Sequence, residues 1–153
     1  MEKFIDNGDG TVTDTSTGLM WQKETAGQEN WDRAIVLCEN LTLAGYNDWR
    51  LPDINELQSI IDHSKYNPAI DTIYFPDTVS SGYWSSATYA YGTSNAWRLH
   101  FNRGLVYGTS KSSSYYVRAV RSGPTREIYT PRQIARRIKV TGETIVLEGT
   151  DGK

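Results

Sequence analysis

A chain of 153 residues, 38% hydrophobic and 22% charged, is long enough for one domain with a sizeable core and a small appendage. Its net charge of −2 gives no overall attraction to nucleic acid or an anionic membrane, and no apolar run reaches the length of a membrane span. Cys38 is the only cysteine, which excludes an internal disulfide, a CxxC redox pair and a cysteine-based zinc site.

The chain opens on MEKFIDNGDG, which does not read as a signal peptide. Phe4-Ile5 leads through Asp6-Asn7-Gly8-Asp9-Gly10 into Thr11 to Asp14. The Asn-Gly and Asp-Gly pairs supply positive φ for a tight turn, so this segment predicts a hairpin. Thr15 to Gly18 forms a second turn, and Leu19 to Gln22 a third short strand. The oxygen-rich loop does not fit calcium of the EF-hand kind. Counted from Asp6, the third ligand position is Gly8 and the twelfth is Thr17.

Asn30 caps a first helix in which Trp31, Ala34, Ile35, Cys38 and Leu41 recur at three- and four-residue steps, turning Cys38 inward. Gly45 reads as its stop signal. A compact stretch, Asp48 to Pro52, precedes a second helix that starts near Asp53 or Asn55, with Ile54, Leu57, Ile60 and Ile61 on one face. Glu56 falls in its first turn, where the helix dipole favours negative charge. His63 to Gly82 reads as loop, broken by Asn67-Pro68 and Phe75-Pro76-Asp77. Four short strands follow, over 83–88, 96–102, 105–109 and 115–121.

The stretch from Tyr83 to Arg121 carries the functional signal. Trp97, Leu99 and Phe101 alternate with Arg98, His100 and Asn102, the period of a strand with one buried and one solvated face. Tyr89, Tyr91, Tyr107, Tyr115 and Tyr116 lie around it among Ser, Thr, Gly and Asn. Tyrosine gives contact area and a hydroxyl at low entropy cost, and small polar residues add adaptable hydrogen bonds, as in antibody binding loops. The expected ligand-binding residues are therefore Tyr89, Tyr91, Asn95, Arg98, His100, Asn102, Arg103, Tyr107, Ser110, Lys111, Ser113 and Tyr115. Arg98, His100, Arg103 and Lys111 supply charge for a polyanion, and the tyrosines supply stacking. Arg118, Arg121, Trp49, Arg50 and Trp84 are expected to be architectural, the two former paired with core carboxylates.

Catalysis is not expected. The chain has two histidines, His63 and His100, and lacks a GxSxG elbow, a phosphate-gripping glycine loop and an HExxH signature. No catalytic residue, metal or cofactor is assigned. Past Gly123-Pro124 the composition changes. Thr130-Pro131 starts a basic helix with an Ile134/Ile138 stripe, and Thr144 to Leu147 forms a last strand. We divide the chain into a binding domain, 1–123, and an appendage, 124–153. One short basic helix in an acidic chain is thin support for nucleic-acid binding. Packing on the domain or on a second copy suits its stripe better.

FIDNGDGTVTDTSTGLMWQK, AIVLCENL, NDWRLPDINELQSIID, YWSS and YYVRAVR occur in that order. Together they resemble the Lcl C-terminal domain family, over about Phe4 to Ser122. The resemblance implies an α+β, C-type-lectin-like fold of two helices on antiparallel sheets with neighbouring termini. It also implies an adhesive module at a cell surface, secreted or on a virion, with sulfated glycosaminoglycans and trimeric assembly associated with the namesake. Family members often carry a cysteine where this chain has Ala119, paired with the cysteine of the first helix; here Cys38 has no such mate.

The composition of Thr88 to Tyr116 further resembles the variable region of retroelement-diversified proteins on the same broad fold, in which adenine mutagenesis scatters Tyr, Ser, Asn, Gly, Asp, Ala and Thr. The expectation is a non-enzymatic module presenting this face to a protein or cell-surface ligand. The alternatives are a fixed adhesin for sulfated glycans, an oxidase of the formylglycine-generating type, and an assembly unit that buries the face between subunits. A calcium-dependent sugar site is not visible, since Asn95-Ala96-Trp97-Arg98 has no acidic neighbour.

Overall fold

The computed structural model describes residues 2–122; the expected helix and strand of 124–153 lie outside them. The chain begins with β1 (Phe4–Asp6), β2 (Thr11–Asp14), β3 (Met20–Gln22) and β4 (Gly27–Glu29). Helices α1 (Trp31–Glu39) and α2 (Ile54–Ser59) follow. Then come β5 (Gly82–Thr88), β6 (Asn95–His100), β7 (Leu105–Ser110), β8 (Tyr115–Val117) and β9 (Val120–Arg121). The strands form two sheets, ordered β1-β2-β3-β9 and β4-β8-β5-β6-β7, antiparallel except for the β5–β8 pair. The protein is an α+β domain.

Local chemistry accounts for most of these elements. Gly8 and Gly10 take φ of 77° and 91° in the first hairpin, where Asp6 accepts from the Gly8 amide and Asp9 from the Thr11 amide and hydroxyl. The Asn30 side chain accepts from the Arg33 amide at the start of α1. The helix stops at Glu39 on an Asn40 cap; Gly45, six residues past the last helical residue, instead turns the chain between Leu43 and Tyr46. Asp53 and Glu56 form a reciprocal capping box on α2. The Glu56 carboxylate also holds both Nη atoms of Arg50, at 2.7 and 2.8 Å, which makes Arg50 architectural as expected.

Two strand expectations need correction. The segment 115–121 is not one strand: β8 belongs to the larger sheet and β9 to the smaller. Arg118 lies at the crossing, fully buried. Its Nη1 donates to the Gln22 and Lys23 carbonyls and its Nη2 to Thr78 Oγ1 at 2.8 Å, while its plane stacks over Phe75 and Tyr83. Next to it the Ala119 amide donates to Gln22 Oε1 at 3.1 Å, a side-chain acceptor where a ladder carbonyl would stand. Strand β4, too short and polar to show a period, pairs with β8 and was not expected.

The core consists of two clusters. Phe4, Val12, Trp21, Leu57, Phe75, Tyr83, Leu99 and Phe101 fill one; Trp49, Leu51, Trp84, Cys38, Ala96 and Ala119 fill the other, against α1. Three tryptophans, Trp21, Trp49 and Trp84, are no more than 2% exposed, so aromatic volume substitutes for scarce Leu and Met.

Candidate ligand-binding face

The β6–β7 pairing sets which residues of the Tyr-rich stretch share a face. Trp97 lies opposite Gly108, and Arg98 opposite Tyr107. Side chains alternate along a strand, so Arg98, His100, Tyr107 and Thr109 project from one face and Trp97, Leu99 and Gly108 from the other. The simple picture of one buried and one solvated face needs correction. Leu99 and Phe101 are buried, but Trp97 on the Leu99 face is only half-buried. On the Arg98 face Ala96 is buried with Trp84 and Val117, because α1 covers that end of the sheet.

Arg98 is the centre of the arrangement. Its guanidinium lies 4.8 Å from the Tyr107 ring centre and 4.6 Å from that of Tyr115, held between two aromatic faces. Its Nε donates to Thr109 Oγ1 at 2.7 Å, and its buried Nη1 has no hydrogen-bond partner among the described residues. Gly82 makes room for the clamp: a Cβ there would stand 2.9 Å from Tyr115 Cδ1 and 3.0 Å from Arg98 Nη1. Among the described residues three other arginines have carboxylates nearby: Arg50 with Glu56, Arg121 with Asp48, and Arg118 with Asp77 at 3.8 Å. Arg98 has none among the described residues. Both Asp48 and Asp77 are surface groups, so the expectation of core carboxylates for Arg118 and Arg121 is corrected to surface ones.

His100 stands beside this clamp, edge-on to Tyr107 at 6.5 Å, and its Nδ1 accepts from the Asn102 amide at 3.2 Å. Burial, and then the charge of Arg98, hold its pKa below the ordinary histidine value. The neutral imidazole therefore presents no competing positive charge near neutral pH.

The remaining expected residues separate from this patch. Tyr89 packs edge-on against Trp97 at 4.8 Å and against Tyr91 at 5.7 Å, over Gly108 on the opposite face of the hairpin. Tyr91 is 90% exposed. Asn95 closes the Tyr89–Ser94 loop through backbone bonds with Gly92 and Tyr89, and Ser110 and Ser113 build the next turn, where the Ser113 amide donates to the Ser110 carbonyl. Lys111 does not extend into the Arg98 patch: its Nζ lies 4.1 Å from the Trp31 ring centre, and its carbonyl accepts from the Trp31 amide. Asn102 and Arg103 lie in the turn at the other end of β6. There Arg103 joins His63, Lys65 and Tyr66 around a shallow depression of about 350 Å³.

Of the expected residues, the fold thus brings together Arg98, His100, Tyr107 and Tyr115. Gly82 and Thr109 complete the patch and were not anticipated; only the strand register reveals them. Tyr115 has a second role, packing edge-on against Trp84 at 5.2 Å, so it is half architecture.

The Lcl C-terminal domain model matches residues 10–121, most of the chain. No curated protein matches the chain significantly. The matched span includes the larger sheet, the smaller one apart from β1, both helices and the whole Arg98 patch, and the chain belongs to the Lcl C-terminal domain family.

Proposed function

We propose that this chain is a non-enzymatic ligand-binding module of C-type-lectin-like fold, and that it grips an anionic group of a protein or cell-surface ligand on the Arg98 face. One observation carries the reading: a half-buried guanidinium, clamped by Tyr107 and Tyr115, has no carboxylate partner among the described residues. A cation held in one geometry without an internal counter-ion is preorganised for an external one, because little further side-chain entropy is lost on binding. The exposed Tyr107 beside it offers aromatic contact suited to a protein partner.

A diversified origin is the favoured form of this proposal. Its support is that exposed positions of β7 and the flanking loops carry mostly Tyr, Ser, Thr, Gly and Ala, with Arg103 and Leu105, while the packed positions between them hold the frame. A near-copy of the Thr88–Arg121 coding region beside a reverse transcriptase gene is the expected finding; its absence counts for the fixed adhesin. That second reading is favoured by the Arg98 clamp itself, since a guanidinium fork suits sulfate as well as carboxylate. An oxidase of the formylglycine-generating type receives no support from Cys38, which is buried, with burial pushing its pKa up to about 12. Such a thiol supplies no thiolate.

The test is a binding screen of the purified chain against acidic proteins and sulfated and neutral glycans, at low and moderate salt. Saturable binding that weakens with salt is expected for anionic ligands only. Equal binding of neutral glycans would sink the proposal.

A further inference from the structure

A second concavity lies away from the Arg98 face, between β1, the end of α2 and the 71–74 turn. It is a cleft open to solvent on one side, of about 570 Å³, within the range of small-molecule sites. Its lining includes Phe4, Ile60, Ile61, Ile73 and Tyr74. Phe4 and Ile60 are core residues at 5% and 1% exposure, whereas Ile73 is 79% exposed at the margin, an isoleucine left without cover. The Phe4 and Tyr74 rings meet at 5.6 Å and make an aromatic wall.

The charges around this cavity are unbalanced. Glu2, Asp62 and Asp71 line it, with Lys3 and His63. Lys3 is bound to Asp14 at 3.2 Å and Ser16 at 2.9 Å, with its Nζ 5.2 Å from the Phe4 ring centre, and Asp62 is engaged by Ser64 with Lys65 at 4.0 Å. Glu2 and Asp71 have no cationic partner among the described residues. Glu2 accepts one bond from the Tyr74 hydroxyl, and Asp71 one from the Ile73 amide. The Glu2 bond, then desolvation, and only then the charges of Glu2, Asp71 and Asp6 raise the Tyr74 pKa.

We propose that this cavity binds a small organic cation: an ammonium group between Glu2 and Asp71, with an apolar body on Ile61, Ile73 and Tyr74. The carboxylates supply the charge that the ligand needs, and the aliphatic and aromatic walls supply area that water leaves on binding. The Tyr74 ring adds a face on which a cation is attracted. Nothing in this site depends on Arg98.

The experiment is an amide-resolved NMR titration of the full chain with phenethylammonium, and separately with phenethyl alcohol and phenylacetate. Glu2→Gln and Asp71→Asn variants are titrated alongside; both keep the hydrogen-bonding shape and remove one charge. Saturable shifts at Phe4, Ile61 and 71–74 with phenethylammonium are expected, weakened at least fivefold in each variant whose remaining spectrum is unchanged. The alcohol and the acid are expected to leave those amides in place. Equal binding of the alcohol, unchanged affinity in both variants, or no saturable shift would each overturn the proposal.

Discussion

Gly108 is the floor on which Tyr89 lies: a Cβ added there would stand 2.8 Å from Tyr89 Cδ1 and 3.0 Å from Cε1. The contact ties the Tyr89–Ser94 loop to the edge strand and holds Tyr89 against Trp97.

Gly108→Ala is therefore predicted to force Tyr89 off the sheet and to destabilise the domain by about 1–2 kcal/mol, the usual range for overpacking. In a Tyr89→Ala background the same substitution is predicted to cost little. Chemical denaturation of the two singles and the double gives the coupling. Additive effects would refute the contact.

Much of this fold is legible from local chemistry. Glycines at 8 and 10, the Asn30 cap and the Asp53/Glu56 box each act within a few residues, so both the first hairpin and both helices are readable from the chain. The binding stretch is less so. Arg98 and Trp97 are neighbours in sequence, yet they project to opposite faces, and only pairing with β7 decides that Tyr107 joins Arg98 and Gly108 joins Trp97. Lys111 is basic and near Arg98 in sequence, but the β7–β8 turn carries it to Trp31. The break at Arg118 is hidden because YYVRAVR has an unbroken β-rich composition; its cause is a set of bonds to Gln22, Lys23 and Thr78, far away in the chain.

Cys38 and Ala119 belong to the same buried cluster, at 1% and 0% exposure. Ala119→Cys is predicted to form a disulfide with Cys38 under oxidising conditions, the pairing that family resemblance implies. Closing so long a loop is expected to stabilise the domain by roughly 2–4 kcal/mol. A melting temperature that rises only without reductant confirms it; two free thiols after oxidation would show that the positions do not meet.

Asp14 has a wholly buried side chain. Burial raises its pKa, but hydrogen bonds from Ser16 and Lys3 more than offset this and leave the carboxyl below the usual range. A depressed folded-state pKa contributes stability that is present above the unfolded value, about 4, and lost as pH falls through the folded one. Melting temperature is thus predicted to fall on acidification below about pH 4. In Asp14→Asn it starts lower at pH 7 and falls less steeply. Parallel acid-side slopes for the two proteins would contradict the assignment.

The central claim separates two cations, Arg98 and Lys111, that sequence alone groups together. Arg98→Ala and Lys111→Ala should be compared in binding to whichever anionic ligand the screen returns, with Arg98→Lys as a third variant. Arg98→Ala is predicted to weaken binding at least tenfold, about 1.4 kcal/mol or more, and Arg98→Lys to recover only part of it, because an ammonium lacks the planar fork held between Tyr107 and Tyr115. Lys111→Ala is predicted to change affinity less than twofold, since its amine sits on Trp31. Full affinity in a folded Arg98→Ala protein, or a larger loss from Lys111→Ala, would contradict the account.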